Sequence, residues 1–179
     1  MSLIAPATGM PDPMVLTSWT PELIGPPVSG GNIGGSQSAN LTTAYFYPVR
    51  LSQARTYTTA WWVNGATVAG NLDVGIYTRS GTTLTRVAAS TAQAQAGVSV
   101  MQIATTFPTT TIGPGLYYLA YSSSTSTGTF WTLSLNVQVQ RQLGAFQTAA
   151  SNPLPATATA AIVSSVKIPL FGFSESATI

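Results

Sequence analysis

From about residue 41 the chain alternates apolar and polar positions with a period of two, in short runs separated by turn residues, as half-buried strands do. "AYFYPVR" (44–50) is the first predicted strand, and Pro48 places it at an edge or a bulge. In "RTYTTAWWVN" (55–64) Tyr57, Thr59, Trp61 and Val63 share one face, and Thr58, Ala60 and Trp62 the other. In "NLDVGIYT" (71–78) Leu72, Val74 and Ile76 point inward, while Asp73, Gly75 and Tyr77 point out. A Ser80-Gly81 turn leads into a strand through Leu84 and Val87. "VSVMQIATTF" (98–107) sets Met101, Ile103 and Phe107 on one face. "GLYYLAYS" (115–122), "TFWTLSL" (129–135) and "AIVSSVKIPLFGF" (161–173) complete a set of about eight strands. The short run "STAQAQAG" (90–97) is the one weak helix candidate, and it is too brief to carry a helical period. The predicted fold is all-β: a two-sheet antiparallel β-sandwich, jelly-roll-like, with an extended N-terminal arm.

In "GLYYLAY" both faces are apolar, with Leu116, Tyr118 and Ala120 on one and Tyr117, Leu119 and Tyr121 on the other. A strand of this kind sits mid-sheet, or has its outer face covered by the arm or by another subunit.

Residues 1–40 follow neither period and hold six prolines, Pro6, Pro11, Pro13, Pro21, Pro26 and Pro27. They form the predicted docking arm, closed by the flexible "SGGNIGGSQS" (29–38), and residues 41–179 form the sandwich domain. The arm is too apolar for a solvated tail, and Trp19, Leu23 and Ile24 are its candidate anchors. Two placements stay open: folded back over its own domain, or docked on a neighbouring subunit. Residues 144–160 read as a long surface loop.

Composition narrows the chemistry. Charged residues make up 6% of the chain, against about 25% in ordinary soluble proteins, so Thr, Ser, Gln, Asn and Gly must cover the surface. The net charge is +2 and the cations Arg50, Arg55, Arg79, Arg86, Arg141 and Lys167 are scattered, which excludes the clustered phosphate contacts of a nucleic-acid binder. A chain so near neutrality has little self-repulsion and suits a packed assembly. With no cysteine and no histidine, the chain lacks thiolate sites, the commonest general base and the usual catalytic triads.

Of the four carboxylates, Asp12 and Glu22 lie in the arm and Glu175 in the C-terminal tail. Only Asp73 belongs to the predicted sandwich body, so the facing pair needed for glycoside hydrolysis is missing there. Asp73 with loop carbonyls leaves a calcium site open; the simpler reading is a surface aspartate paired with Arg79 or Arg86. No enzyme activity, cofactor or metal is expected. The N-terminus lacks the basic region of a secretory signal, and no apolar run is long enough to span a bilayer, so neither signal-directed export nor membrane insertion is expected.

Residues 71–121 carry "DVGIYTRSGTTLTRVAAST" and then "TTFPTTTIGPGLYYLAYSS". A strand ending in Gly-Ile-Tyr precedes a hairpin, and a polar turn precedes Pro-Gly-Leu-Tyr-Tyr-Leu-Ala. This segment, roughly a third of the chain, resembles a β-sandwich domain frequent in virion structural proteins of tailed bacteriophages, such as fibre and decoration proteins. The resemblance implies a non-enzymatic virion protein made in the host bacterial cytoplasm. It would be displayed on the capsid or tail surface as a decoration, cement or short fibre subunit, as a homotrimer, with the major capsid protein as its expected partner. No catalytic residue belongs to the resemblance.

The alternative is a carbohydrate-binding adhesin or receptor-binding protein that reads host surface glycans. Trp61, Trp62, Tyr77, Tyr117 and Tyr121 are the candidate glycan or subunit contacts; the same rings serve equally as core.

Because almost nothing titrates or is screened, self-association and docking should change little from low to moderate salt and from about pH 6 to 8. Sedimentation across those conditions checks this; a steep salt slope would point to a polyanionic partner instead.

Overall fold

The structure, a computed structural model, describes residues 23–24, 32–38, 43–134, 146–149, 152–161 and 168–175. These residues form an all-β protein, with no helix among them, and every strand pairing is antiparallel.

One layer is a seven-stranded sheet. Its path runs through β13 (Phe146–Ala149), β3 (Thr43–Leu51), β11 (Gly115–Ser123), β6 (Asn71–Ser80), β7 (Thr83–Ala89) and β14 (Thr157–Thr159), with β8 (Gln93–Ala94) added at the start of β6. β11 lies between β3 and β6, with Leu119 opposite both Tyr47 and Ile76. The predicted mid-sheet position of the "GLYYLAY" strand is what the register gives.

The facing layer is made of shorter sheets. β1 (Leu23–Ile24), β16 (Phe171–Ser174), β5 (Thr59–Val63) and β9 (Met101–Ile103) form one in that order. β10 (Thr110–Ile112) pairs β4 (Arg55–Tyr57), and β12 (Thr129–Ser134) lies between β15 (Ile168–Pro169) and β2 (Asn32–Ser38). Leu170 stitches two of these sheets together: its carbonyl accepts from Val63 N at 2.9 Å and its amide donates to the Trp131 carbonyl at 2.8 Å.

The main core lies between the layers. Tyr45, Tyr47, Leu72, Val74, Ile76, Leu119 and Tyr121 of the large sheet meet Tyr57, Trp62, Phe130, Phe171 and Phe173. The Tyr121 ring sits at the centre, 4.9 Å from Phe130 and 5.8 Å from Phe171, in tilted contacts favourable for aromatic rings.

The second face of the large sheet is also buried, and here the structure corrects the expected surface loop at 144–160. That stretch supplies β13 and β14, which pair β3 and β7. β13 and β14 come within 8 Å of each other between Cα atoms, so the sheet curls round the segment joining them. Leu154 of that segment is buried with Phe46, Tyr77, Leu84, Tyr118 and Ala120. Gly75 makes room for it: a Cβ there would stand 2.9 Å from the Ala88 carbonyl oxygen and 3.0 Å from Leu154 Cδ1. Asp73, Gly75 and Tyr77 do point away from the main core as predicted, but into this second cluster and not into solvent.

Three further expectations change. Residues 32–38 of the glycine-rich stretch expected to be flexible form the seven-residue strand β2, paired along β12, because ladder hydrogen bonds need only backbone. The run 55–64 is broken at Thr58, whose hydroxyl donates to the Glu175 carbonyl at 3.0 Å; across that break Tyr57 on one side and Ala60 and Trp62 on the other enter one core. "STAQAQAG" is extended, and its glutamines serve as backbone clamps. Gln95 Oε1 accepts from Ala69 N at 2.9 Å, and Gln93 Oε1 accepts from Thr105 N at 3.0 Å. Parts of the arm and of the jelly-roll connectivity expected from sequence fall outside the described residues.

Replacing Leu154 with alanine should lower unfolding free energy by about 3 kcal/mol, as large-to-small core changes do. Chemical denaturation measures it. An effect below about 1 kcal/mol would show that the segment merely rests on the sheet.

Candidate functional site

Three groupings of side chains are candidates for function: the buried polar cluster at Asp73, the aromatic set, and the apolar residues left in solvent.

Asp73 is fully buried where β6 passes under the covering segment. Its Oδ2 accepts from Leu154 N at 2.8 Å and its Oδ1 accepts from Ser90 Oγ at 2.9 Å. Ser90 Oγ in turn accepts from Val74 N at 3.1 Å. Burial raises the Asp73 carboxyl above its ordinary value; the Leu154 and Ser90 hydrogen bonds and the Arg86 charge oppose that rise without cancelling it. The expected surface pairing with Arg79 or Arg86 is therefore replaced by a buried anchor. Arg86 donates to the Leu154 carbonyl, and Arg79 donates through Nε to the Gly81 carbonyl at 2.7 Å and lies over the Tyr118 ring. Both Asp73 oxygens are engaged by donors that hold the fold, which leaves the carboxylate poorly placed to ligate calcium.

Glu175 pairs with Arg55 at 3.2 Å at a partly exposed position. Such pairs contribute little to stability. Among the described residues no three His, Cys, Asp or Glu side chains gather to hold a metal.

The candidate glycan rings separate clearly. Trp62, Tyr77 and Tyr121 are fully buried, and Trp61 is 7% exposed. Trp62 Nε1 donates to Asn64 Oδ1 at 3.0 Å, and Tyr77 OH donates to the Pro155 carbonyl. Tyr117 is half-buried, its hydroxyl donating to the Gly113 carbonyl at 3.1 Å, so its tip is tied to the Gly113-Pro114-Gly115 turn. Trp61, Trp62, Tyr77 and Tyr121 thus offer no open face of the kind that stacks on a sugar, and Tyr117 is the one of the five that keeps partial exposure. Burial also pushes the hydroxyls of Tyr47, Tyr57, Tyr77 and Tyr121 well above the normal tyrosine value.

Of the arm anchors, Trp19 lies outside the described residues. Leu23 and Ile24 form β1, opposite Ser174 and Phe173 of the chain's own β16. At that point the arm is paired with its own domain.

The sequence reading missed the third grouping. Met101, Ile103 and Phe107 were expected to share one face; Phe107 is buried, but Met101 and Ile103 are about 40% exposed, and Val98 and Val100 more so. The chain leaves β9 at Ala104, whose amide makes the last bond to β5, so Phe107 turns inward by a route that alternation does not describe. A signal was available in the sequence: no charged residue occurs from Val87 to Gln140.

Comparison with known proteins yields no match among family models, curated sequences or solved structures.

Unfolded, Asp73 titrates near the ordinary aspartate value of 3.8, and folded it titrates higher. Between the two values the native state holds the extra proton, so this group's contribution to stability falls as pH rises through that window. Asp73→Asn, which can still accept from Leu154 N, should flatten the pH dependence of thermal stability as pH rises above the ordinary carboxylate range. Parallel slopes for the variant and the parent would disprove the assignment.

Proposed function

We propose that the chain is a non-enzymatic structural subunit of a tailed-phage virion. It is displayed on the capsid or tail surface as a decoration, cement or short fibre subunit. The jelly-roll-like sandwich faces outward, and the N-terminal arm attaches the subunit to the major capsid protein or another virion protein. Association as a trimer is part of this reading.

The observation that carries it is the distribution of apolar side chains. The candidate rings are in the core or, for Tyr117, tied to a turn, while four of the exposed apolar side chains, Val98, Val100, Met101 and Ile103, lie on or just before one uncharged strand at a sheet edge. Surfaces of that composition recognise protein. The likeness of residues 71–121 to phage virion sandwiches supplies the biological setting, and low net charge suits close packing of many copies.

Particles stripped of the subunit are incubated with the intact chain or with Trp19→Asp, and bound protein is measured after sedimentation. Saturable binding by the parent and a loss of about tenfold or more in the variant, with thermal stability unchanged, is the expected result. Removing all of residues 1–40 is the wrong test, because it deletes β1 and β2 from their sheets. Parent protein that binds host cells and ignores particles would overturn the reading.

A further inference from the structure

We propose that β9 is a self-association edge, at which two copies of this chain join by antiparallel pairing of their β9 strands. The proposal adds a contact to the assembly reading above and rests on it for its biological meaning. It is separate from the arm and from the three-fold association, since an isologous pairing closes at two copies.

The backbone geometry points to a strand as the occupant. Asn64 N donates to the Val100 carbonyl at 2.9 Å and Ala104 N donates to the Ala60 carbonyl at 2.8 Å, with Gln102 opposite Trp62 between them. Val100, Gln102 and Ala104 therefore direct their peptide groups to β5, and Met101 and Ile103 direct theirs away from it. β9 is the last strand of its sheet among the described residues, so those outward donors and acceptors form an open edge.

The register points to a second copy. With Gln102 of each copy at the two-fold axis, Met101 of one lies opposite Ile103 of the other, and each such pair can exchange both amide-carbonyl bonds. The side chains match as well. Met101 and Ile103 stand on the face shared with Trp61 and Val63, so apolar side chains meet apolar side chains across the junction. Exposed edges are ordinarily blunted by lysine, proline or a bulge. Here the strand and its flanks carry none of these, and no charge is present to oppose an identical partner.

The edge is three residues long, far smaller than the roughly 800 Å² per partner of a standard interface. A weak contact is expected, effective where an assembly repeats it.

Sedimentation equilibrium of the purified full chain up to about 1 mM tests this. The parent's mass should rise reversibly with concentration toward at least twice that of the starting species, whether that species is the monomer or the trimer. Met101→Pro removes an outward N–H and no β5 ladder bond, so it should weaken dimerisation about tenfold or more while leaving the thermal midpoint nearly unchanged. Ile103→Lys, at an exposed side chain, should do the same by charge and serves if the proline variant misfolds. A parent whose mass does not rise with concentration, or folded variants that associate like the parent, would overturn the proposal. Either result leaves arm-dependent particle binding to be read independently.

Discussion

The hydrogen bond from the Leu154 amide to the Asp73 carboxylate, 2.8 Å long and spanning 81 residues of chain, fixes how the large sheet is covered. Without that anchor β6 would turn Asp73, Gly75 and Tyr77 to water, and β11 would expose Tyr118 and Ala120. With it, one segment lays Leu154 over Gly75 and hands its carbonyls to Arg86 and Tyr77. Burying a carboxylate is costly, and the cost is limited here because both oxygens accept hydrogen bonds and a guanidinium stands nearby. The same arrangement accounts for a sheet that is apolar on both faces in a protein with no helix among its described residues.

How much of this was legible follows from what each residue reports. Leu72, Val74 and Ile76 announced their buried face because alternation is a local property, and the central place of "GLYYLAY" was one of the two placements its apolar faces allowed. The cover over Asp73 was invisible, since its partner lies far along the chain in a stretch with the composition of a loop. β2 was hidden for the opposite reason: "NIGGSQS" has almost no side-chain signal, and a strand made by backbone pairing leaves none. For the candidate site, the sequence singled out five rings and left their role open, because tryptophan and tyrosine suit a core and a ligand platform equally. Burial separated the two. The edge at β9 was misread since Met101 and Ile103 have the alternation of a core strand, and only the turn away from β5 at Ala104 exposes them.

Asn64 shows a second economy of the same kind. Fully buried, it accepts from Trp62 Nε1 and donates to the Gly97 carbonyl at 2.9 Å and to Gln102 Oε1 at 3.0 Å. Gln102 also accepts from Ala96 N and donates to the Ala94 carbonyl, both at 2.8 Å. Uncharged amides thus do in this chain what ion pairs and disulfides do elsewhere: they join distant segments while satisfying buried polar groups. The choice matters for the surface, because it lets the fold be held together without a compensating set of exposed charges.

A surface so poor in charge has a consequence for association. Charged residues on ordinary proteins both solubilise them and reject wrong partners, the second through unpaired charges buried at a mismatched contact. Here discrimination has to come from backbone register and shape. β9 presents its peptide groups in an order that a strand of matching register satisfies, and the apolar side chains beside them penalise partners that would bury a charge there. Specificity built this way is insensitive to salt and to pH near neutrality, and it is weak at any single contact. Such properties fit the proposed role, in which binding is summed over many identical neighbours.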